Sequence, residues 1–88
     1  MGVIHRLVGY DQKTDRVKVS FNVADHLLGD AKSIANVPND DPQAVWSYAL
    51  SRDQVYRLAK LIRARVDPGQ AEFFLEAFAD SAVPDRLA

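Results

Sequence analysis

The hydrophobic period of this chain changes at Ser51. Before it, from Ala44 to Leu50, residues alternate: Trp46, Tyr48 and Leu50 lie to one side, Val45, Ser47 and Ala49 to the other. After it, apolar residues recur as Val55, Leu58, Ala59, Ile62 and Val66, the spacing of one helix face. The pattern predicts a strand over 44–50 that passes into a helix over about 52–66 with almost no loop. Ser51 and Gln54 stand at the spacing of a capping box, which satisfies backbone N–H groups that the first helical turn leaves unpaired.

Upstream, Val3–Tyr10 reads as a strand from its β-branched and aromatic content. Asp11-Gln12-Lys13-Thr14-Asp15 reads as a turn, because Asp and Thr side chains bond nearby backbone groups. Arg16–Val23 alternates cleanly, with Val17, Val19, Phe21 and Val23 on one face and Arg16, Lys18, Ser20 and Asn22 on the other. That is the signature of an antiparallel strand buried on one side, and the two strands form a hairpin. Leu27, Leu28, Ala31, Ile34 and Ala35 predict a short helix over 25–35 with Asp25 as N-cap, although Gly29 weakens it by about 1 kcal/mol relative to alanine. Residues 36–42 form a loop. Asp67-Pro68-Gly69-Gln70 suits either a turn or a helix start, and Phe73–Phe78 suits either a fourth strand or a helix. The expected fold class is α+β: an antiparallel sheet of three or four strands packed on one face by one or two helices, in the order β-β-α-β-α and then β or α. Residues 1–79 are expected to form one globular domain, and residues 80–88 a frayed tail.

With 88 residues, such a domain buries about 60–65% of its unfolded surface, enough for one core. Cysteine is absent, which removes disulfides, thiolate metal sites and thiol nucleophiles and fits a reducing, cytoplasmic setting. No signal peptide and no membrane-spanning apolar run is evident. Gly2 stands where a myristoylated glycine would, but Arg6 occupies the position where that motif needs Ser or Thr.

Catalytic chemistry finds little support. His5 and His26 have no second ligand at metal-binding spacing, so no metal is expected; His5 reads as a partly buried strand residue and His26 as a surface one. Asp11 and Asp15 lack the remaining ligands of a calcium loop. Neither a nucleophile elbow nor a glycine-rich phosphate loop is present, and no cofactor or enzyme activity is expected. Charge, however, is unevenly distributed. Residues 1–51 carry five basic and six acidic groups, residues 52–66 five basic and one acidic, and residues 67–88 one basic and five acidic. The basic helix offers Arg52, Arg57, Lys60, Arg63 and Arg65 as an alternative nucleic-acid-binding set. Tyr56 is the one aromatic residue among them, so stacking residues are not visibly interleaved with the cations, and the acidic segment that follows can neutralise them.

Trp46, Tyr48 and Tyr56 are candidates for partner contact, since Trp and Tyr bury much area at low entropic cost. Trp46 and Tyr48 equally suit the core between sheet and helix, whereas Tyr56 lies beside the helix stripe and is expected to be exposed. Asn39, Asp40 and Asp41 form an acidic loop suited to a basic target.

Three stretches carry a resemblance: Tyr10-Asp11-Gln12-Lys13-Thr14-Asp15; Tyr48-Ala49-Leu50 with Gln54 and Leu58; and Phe73-Phe74-Leu75-Glu76-Ala77-Phe78. Together they make the chain resemble small uncharacterised bacterial proteins of the toxin-immunity-like type. The resemblance extends over most of the chain between Tyr10 and Phe78 and rests on hydrophobic and turn residues. It implies a protein that binds another protein and blocks it, and it brings no catalytic set. The expected function is therefore a non-catalytic bacterial protein-binding module, with Asn39, Asp40, Asp41 and Tyr56 as contacts, acting as a monomer or a homodimer. The alternative is a nucleic-acid-binding module.

Overall fold

A computed structural model describes residues 3–79. In chain order it contains β1 (Val3–Tyr10), β2 (Val17–Val23), α1 (Leu28–Ala35) entered through a 3-10 turn at Asp25–Leu27, β3 (Tyr48–Ala49), α2 (Arg52–Ile62) and β4 (Glu72–Ala79). The strands form one sheet in the order β2-β1-β4-β3, every pair antiparallel. The expected α+β architecture is therefore present, with four strands and two helices. The expected frayed tail, residues 80–88, lies outside the described residues.

Phe73–Phe78 lies in a strand, not a helix. Its local helical propensity yields to tertiary pairing, because β4 sits at the centre of the sheet and is matched to β1 along its whole length, from Val3↔Ala79 to Tyr10↔Glu72. One row across the four strands reads Phe21, Leu7, Leu75 and Tyr48. Leu7, Phe73, Leu75 and Val23 face the helices and meet Ala31, Ala35, Val55 and Leu58 in one buried cluster. Each large apolar side chain removed from water there contributes about 1.5–3 kcal/mol. On the opposite face Val8 is also buried, at 1% exposure, between Ser20 and Phe74.

Several boundaries differ from the sequence reading. Val17, expected on the buried face, is 51% exposed. Gly9 pairs with Val19 and Tyr10 with Val17, so Val17 and Lys18 together stand against Tyr10 and a β-bulge turns Val17 off the buried row. Asp25 does not cap α1; it begins the 3-10 turn, and Ala24 precedes it with no side-chain cap. The capping box at Ser51 is present: Gln54 N–H donates to Ser51 Oγ at 3.2 Å, and Ser51 N–H donates to Gln54 Oε1 at 2.7 Å. The helix ends at Ile62, short of Val66, because Arg63 adopts a left-handed conformation (φ 59°) and the Ala64 N–H closes back on Ala59 C=O at 2.9 Å. Val66 still packs against the core from outside the helix. Asp67–Gln70 is a turn, held by Gly69 N–H on Asp67 Oδ1 at 2.9 Å. In the β1–β2 turn Asp11 acts as expected, its Oδ1 accepting from the Lys13 and Thr14 amides at 2.8 and 3.1 Å.

Gly9 is required by close packing. A Cβ there would stand 2.7 Å from Phe73 Cε1 and 2.9 Å from Val19 Cγ2. Phe73 is a core residue and Val19 is β-branched, so neither yields freely. Gly9→Ala is expected to destabilise the fold by about 1–3 kcal/mol through overpacking. Denaturant unfolding measures this, and an unchanged midpoint would show that Phe73 has room to move.

Candidate functional site

The segment between α1 and β3 is organised by two buried polar side chains. The carboxylate of Asp41 accepts from the Val45 amide at 3.0 Å, from the Trp46 amide at 3.2 Å and from the Tyr48 hydroxyl. On the other side, His5 Nε2 lies 2.9 Å from Gln43 C=O and 3.2 Å from Ala44 C=O. Both carbonyls are acceptors, so Nε2 carries the proton, while the buried Nδ1 has no partner. Lys32 Nζ adds a bond to Pro42 C=O. Ala44, fully buried, is held at φ 50°, a conformation that costs a non-glycine residue energy and persists only where its surroundings impose it.

Asp41 is thus not the solvated contact residue expected from the sequence; it is 5% exposed and serves as the post of the loop. Burial alone would push its carboxyl up. The Tyr48 hydroxyl, the Val45 and Trp46 amides and the nearby Lys32 charge outweigh that and hold it below its ordinary range. The same contact acts oppositely on Tyr48: burial, the bond to Asp41 and the charges of Asp41 and Asp40 push the phenol up to about 12.

By taking the Val45 and Trp46 amides, Asp41 stops the expected strand over 44–50, and β3 keeps only Tyr48 and Ala49. Trp46 does not fill the core. It is 69% exposed, with Val45 exposed beside it. Trp46 was legible as a contact candidate, but its partners on the loop were not. Asp41 engages residues four, five and seven positions ahead, and nothing in the spacing separates such a carboxylate from a solvated one.

Of the other candidate contacts, Asn39 and Asp40 are exposed as expected, and so is Tyr56 at 57%. Tyr56 belongs to α2, and no hydrogen bond or ion pair among the described residues joins it to Asn39, Asp40 or Asp41. The five cations do not form one continuous helical row. Arg57 is paired with Asp53 at 2.9 Å, Lys60 Nζ stands 5.4 Å from the Tyr56 ring centre, and Arg52 lies against Gly69. Arg63 and Arg65 fall beyond the end of α2.

Ser47 marks a second polar cluster, on the sheet face opposite the helices. Glu76 accepts from Tyr10 Oη at 2.6 Å and from Ser47 Oγ at 2.9 Å. Burial, that hydrogen bond and the Glu76 charge push the Tyr10 phenol up to about 12, and its ring meets Phe74 edge-on at 5.7 Å. A shallow cavity of about 230 Å³ at the end of the sheet is lined by Leu50, Arg52, Val55, Gly69, Glu72 and Phe73 among others, and neither histidine reaches it. Among the described residues, no group of three or more His, Cys, Asp or Glu side chains is placed to hold a metal ion. No helix among them is long and apolar enough to cross a membrane.

Residues 4–76 match the family model described as Domain of unknown function (DUF7683). The chain belongs to this family. The match runs from β1 into β4 and so includes both pinning residues, His5 and Asp41, and the exposed Trp46. No curated protein and no solved structure matches the chain. The DUF7683 assignment fits the expectation of a small uncharacterised protein and carries no activity of its own.

The Asp41–Tyr48 contact makes the loop sensitive to pH at both extremes. The carboxyl is lowered in the folded protein, so its contribution is present above the unfolded pKa and lost as pH falls through the folded one. The phenol is raised from 10.0 to about 12, so its contribution is present below 10 and lost as pH climbs through that interval. Trp46 is the single tryptophan and reports on the loop directly. Its emission should stay constant at neutral pH and shift in an acid step and an alkaline step. Asp41→Asn should flatten the first, and Tyr48→Phe should shrink the second. An acid step that survives Asp41→Asn would assign it to another carboxyl.

Proposed function

We propose that this chain is a non-catalytic protein-binding module anchored by Trp46. The observation that carries the reading is a tryptophan 69% exposed on a loop pinned from within by Asp41 and His5. An aromatic side chain that is large, exposed and carried on a backbone already pinned has the character of an interface anchor, because less backbone freedom remains to be lost on binding. Val45, Asn39 and Asp40 flank it on the same connection, and Tyr56 offers a second exposed aromatic on α2. Asp40, which has no ion-pair partner among the described residues, suits a basic target and favours fast encounter with one.

In its specific form, the module works in a bacterial cytoplasm and neutralises a toxin by covering its functional surface, the role implied by the likeness to toxin-immunity-like proteins. Masking needs a rigid surface and no chemistry, which is what a pinned loop supplies. The nucleic-acid alternative is less favoured, since Arg57 and Lys60 are engaged by Asp53 and Tyr56 and Arg63 and Arg65 leave the helix.

The test is capture of a partner from extract on the immobilised protein, compared with Trp46→Ala. An anchor residue contributes about 2 kcal/mol, so retention should weaken about thirtyfold while thermal unfolding stays unchanged. Equal retention by both would move the contact away from Trp46. Retention on a polyanion column that falls steeply with salt and depends on Arg52 would instead favour the nucleic-acid reading.

A further inference from the structure

β4 has eight residues, but its partner on the outer side, β3, has two. Tyr48 pairs with Leu75 and Ala49 with Phe74, and the Leu50 N–H donates to Phe73 C=O at 2.9 Å. That last bond sets the phase of the strand. Odd-numbered residues of β4 aim their backbone N–H and C=O toward β3, and even-numbered ones aim theirs toward β1. Ala77 and Ala79 therefore aim their polar groups off the edge of the sheet. Among the described residues no strand pairing and no loop hydrogen bond meets them there.

Residues 44–47 would stand opposite Glu76–Ala79 if β3 continued in register. They do not, because Asp41 holds the amides of Val45 and Trp46. Among the described residues this leaves an open half-edge in line with β3, where Trp46 would stand if β3 continued. Unpaired backbone groups of this kind are a template for an added strand.

The side chains along the half-edge define what suits it. Ala77 and Ala79 are small, half-buried and exposed respectively, and lie on the helix face, where the apolar side chains of an added strand would stand beside them. On the other face stand Glu76 and the half-buried Phe78. Among the described residues Glu76 is bonded only by the neutral hydroxyls of Tyr10 and Ser47, and neither Glu76 nor Asp40 forms an ion pair. Arg6, the cross-strand neighbour of Glu76, turns its guanidinium to Ser20 Oγ and Asn22 Oδ1 instead. A carboxylate with no ion-pair partner among the described residues, next to an aromatic ring, suits an ammonium or guanidinium group.

We infer that the half-edge Ala77–Ala79 receives an extended segment of a partner protein by strand addition, with apolar side chains alternating with lysine or arginine. This rests on the protein-binding reading and specifies the partner's form.

The probe is an alternating valine–lysine octapeptide, with a valine–glutamate octapeptide as control. The lysine peptide should shift Trp46 emission, bind less tightly as salt is raised, and slow hydrogen exchange at the Ala77 and Ala79 amides. Ala77→Pro removes an outward N–H and leaves the ladder to β1, which even-numbered residues supply, so binding should weaken about tenfold or more. Glu76→Gln keeps an acceptor oxygen for one of the two hydroxyls, offers its amide N–H to the other and removes the charge, and should weaken binding several-fold. Failure of the lysine peptide to bind at millimolar concentration, equal binding of the glutamate peptide, or protection of amides elsewhere would overturn the inference. If Trp46→Ala abolishes partner capture while Ala77→Pro leaves it intact, the protein-binding reading stands and strand addition falls.

Discussion

The pairing of β1 with β4 is the contact on which the other layers depend. These strands are far apart in the chain, yet they occupy the middle of the sheet and match residue for residue from Val3↔Ala79 to Tyr10↔Glu72. Leu7 and Leu75, adjacent across that seam and fully buried, form the floor on which α1 and α2 rest. Without the seam, β1–β2 would be a lone hairpin, marginal in water, and the apolar stripe of α2 would have nothing to cover. The close approach at Gly9, where Phe73 from β4 and Val19 from β2 crowd one point, belongs to the same seam.

Against this background the loop around Asp41 is a local contest between two ways of satisfying backbone amides. The residues of 44–50 alternate as a strand should, and a sheet edge stands ready for them. A single buried carboxylate wins the amides of Val45 and Trp46 because an ionised acceptor makes stronger hydrogen bonds than a neutral carbonyl. His5 secures the opposite wall through Gln43 and Ala44, at the cost of a buried ring nitrogen without a partner and an alanine at positive φ. Unsatisfied groups and strain of this kind gather where a surface is held in a particular shape for use.

Much of the scaffold could be read from the residues because one face of each element is buried. The alternation of Val19, Phe21 and Val23, the stripe of Val55, Leu58 and Ala59, and the Ser51–Gln54 capping box all report local geometry. Where geometry is set from a distance, the signal fails. Phe74 and Phe78 stand at helical spacing, and only the open side of β1 makes them part of a strand. Val17 fits the alternation of β2 and is moved off it by a bulge that depends on Tyr10. Asp41 looks like its neighbours Asn39 and Asp40, yet burial and three donors set it apart. The loop therefore entered the candidate site with one residue misplaced, and Trp46, its most exposed aromatic, was as readily assigned to the core.

Placing β4, the last strand among the described residues, in the centre of the sheet also constrains synthesis. As the polypeptide leaves the ribosome, the hairpin and both helices emerge before the strand that must slot between β1 and β3. Until it arrives, Leu7 and Val8 have an unpaired neighbour, and the nascent chain presents apolar surface to its surroundings. Closure is a late, long-range event, so maturation of this small domain is governed by topology more than by size.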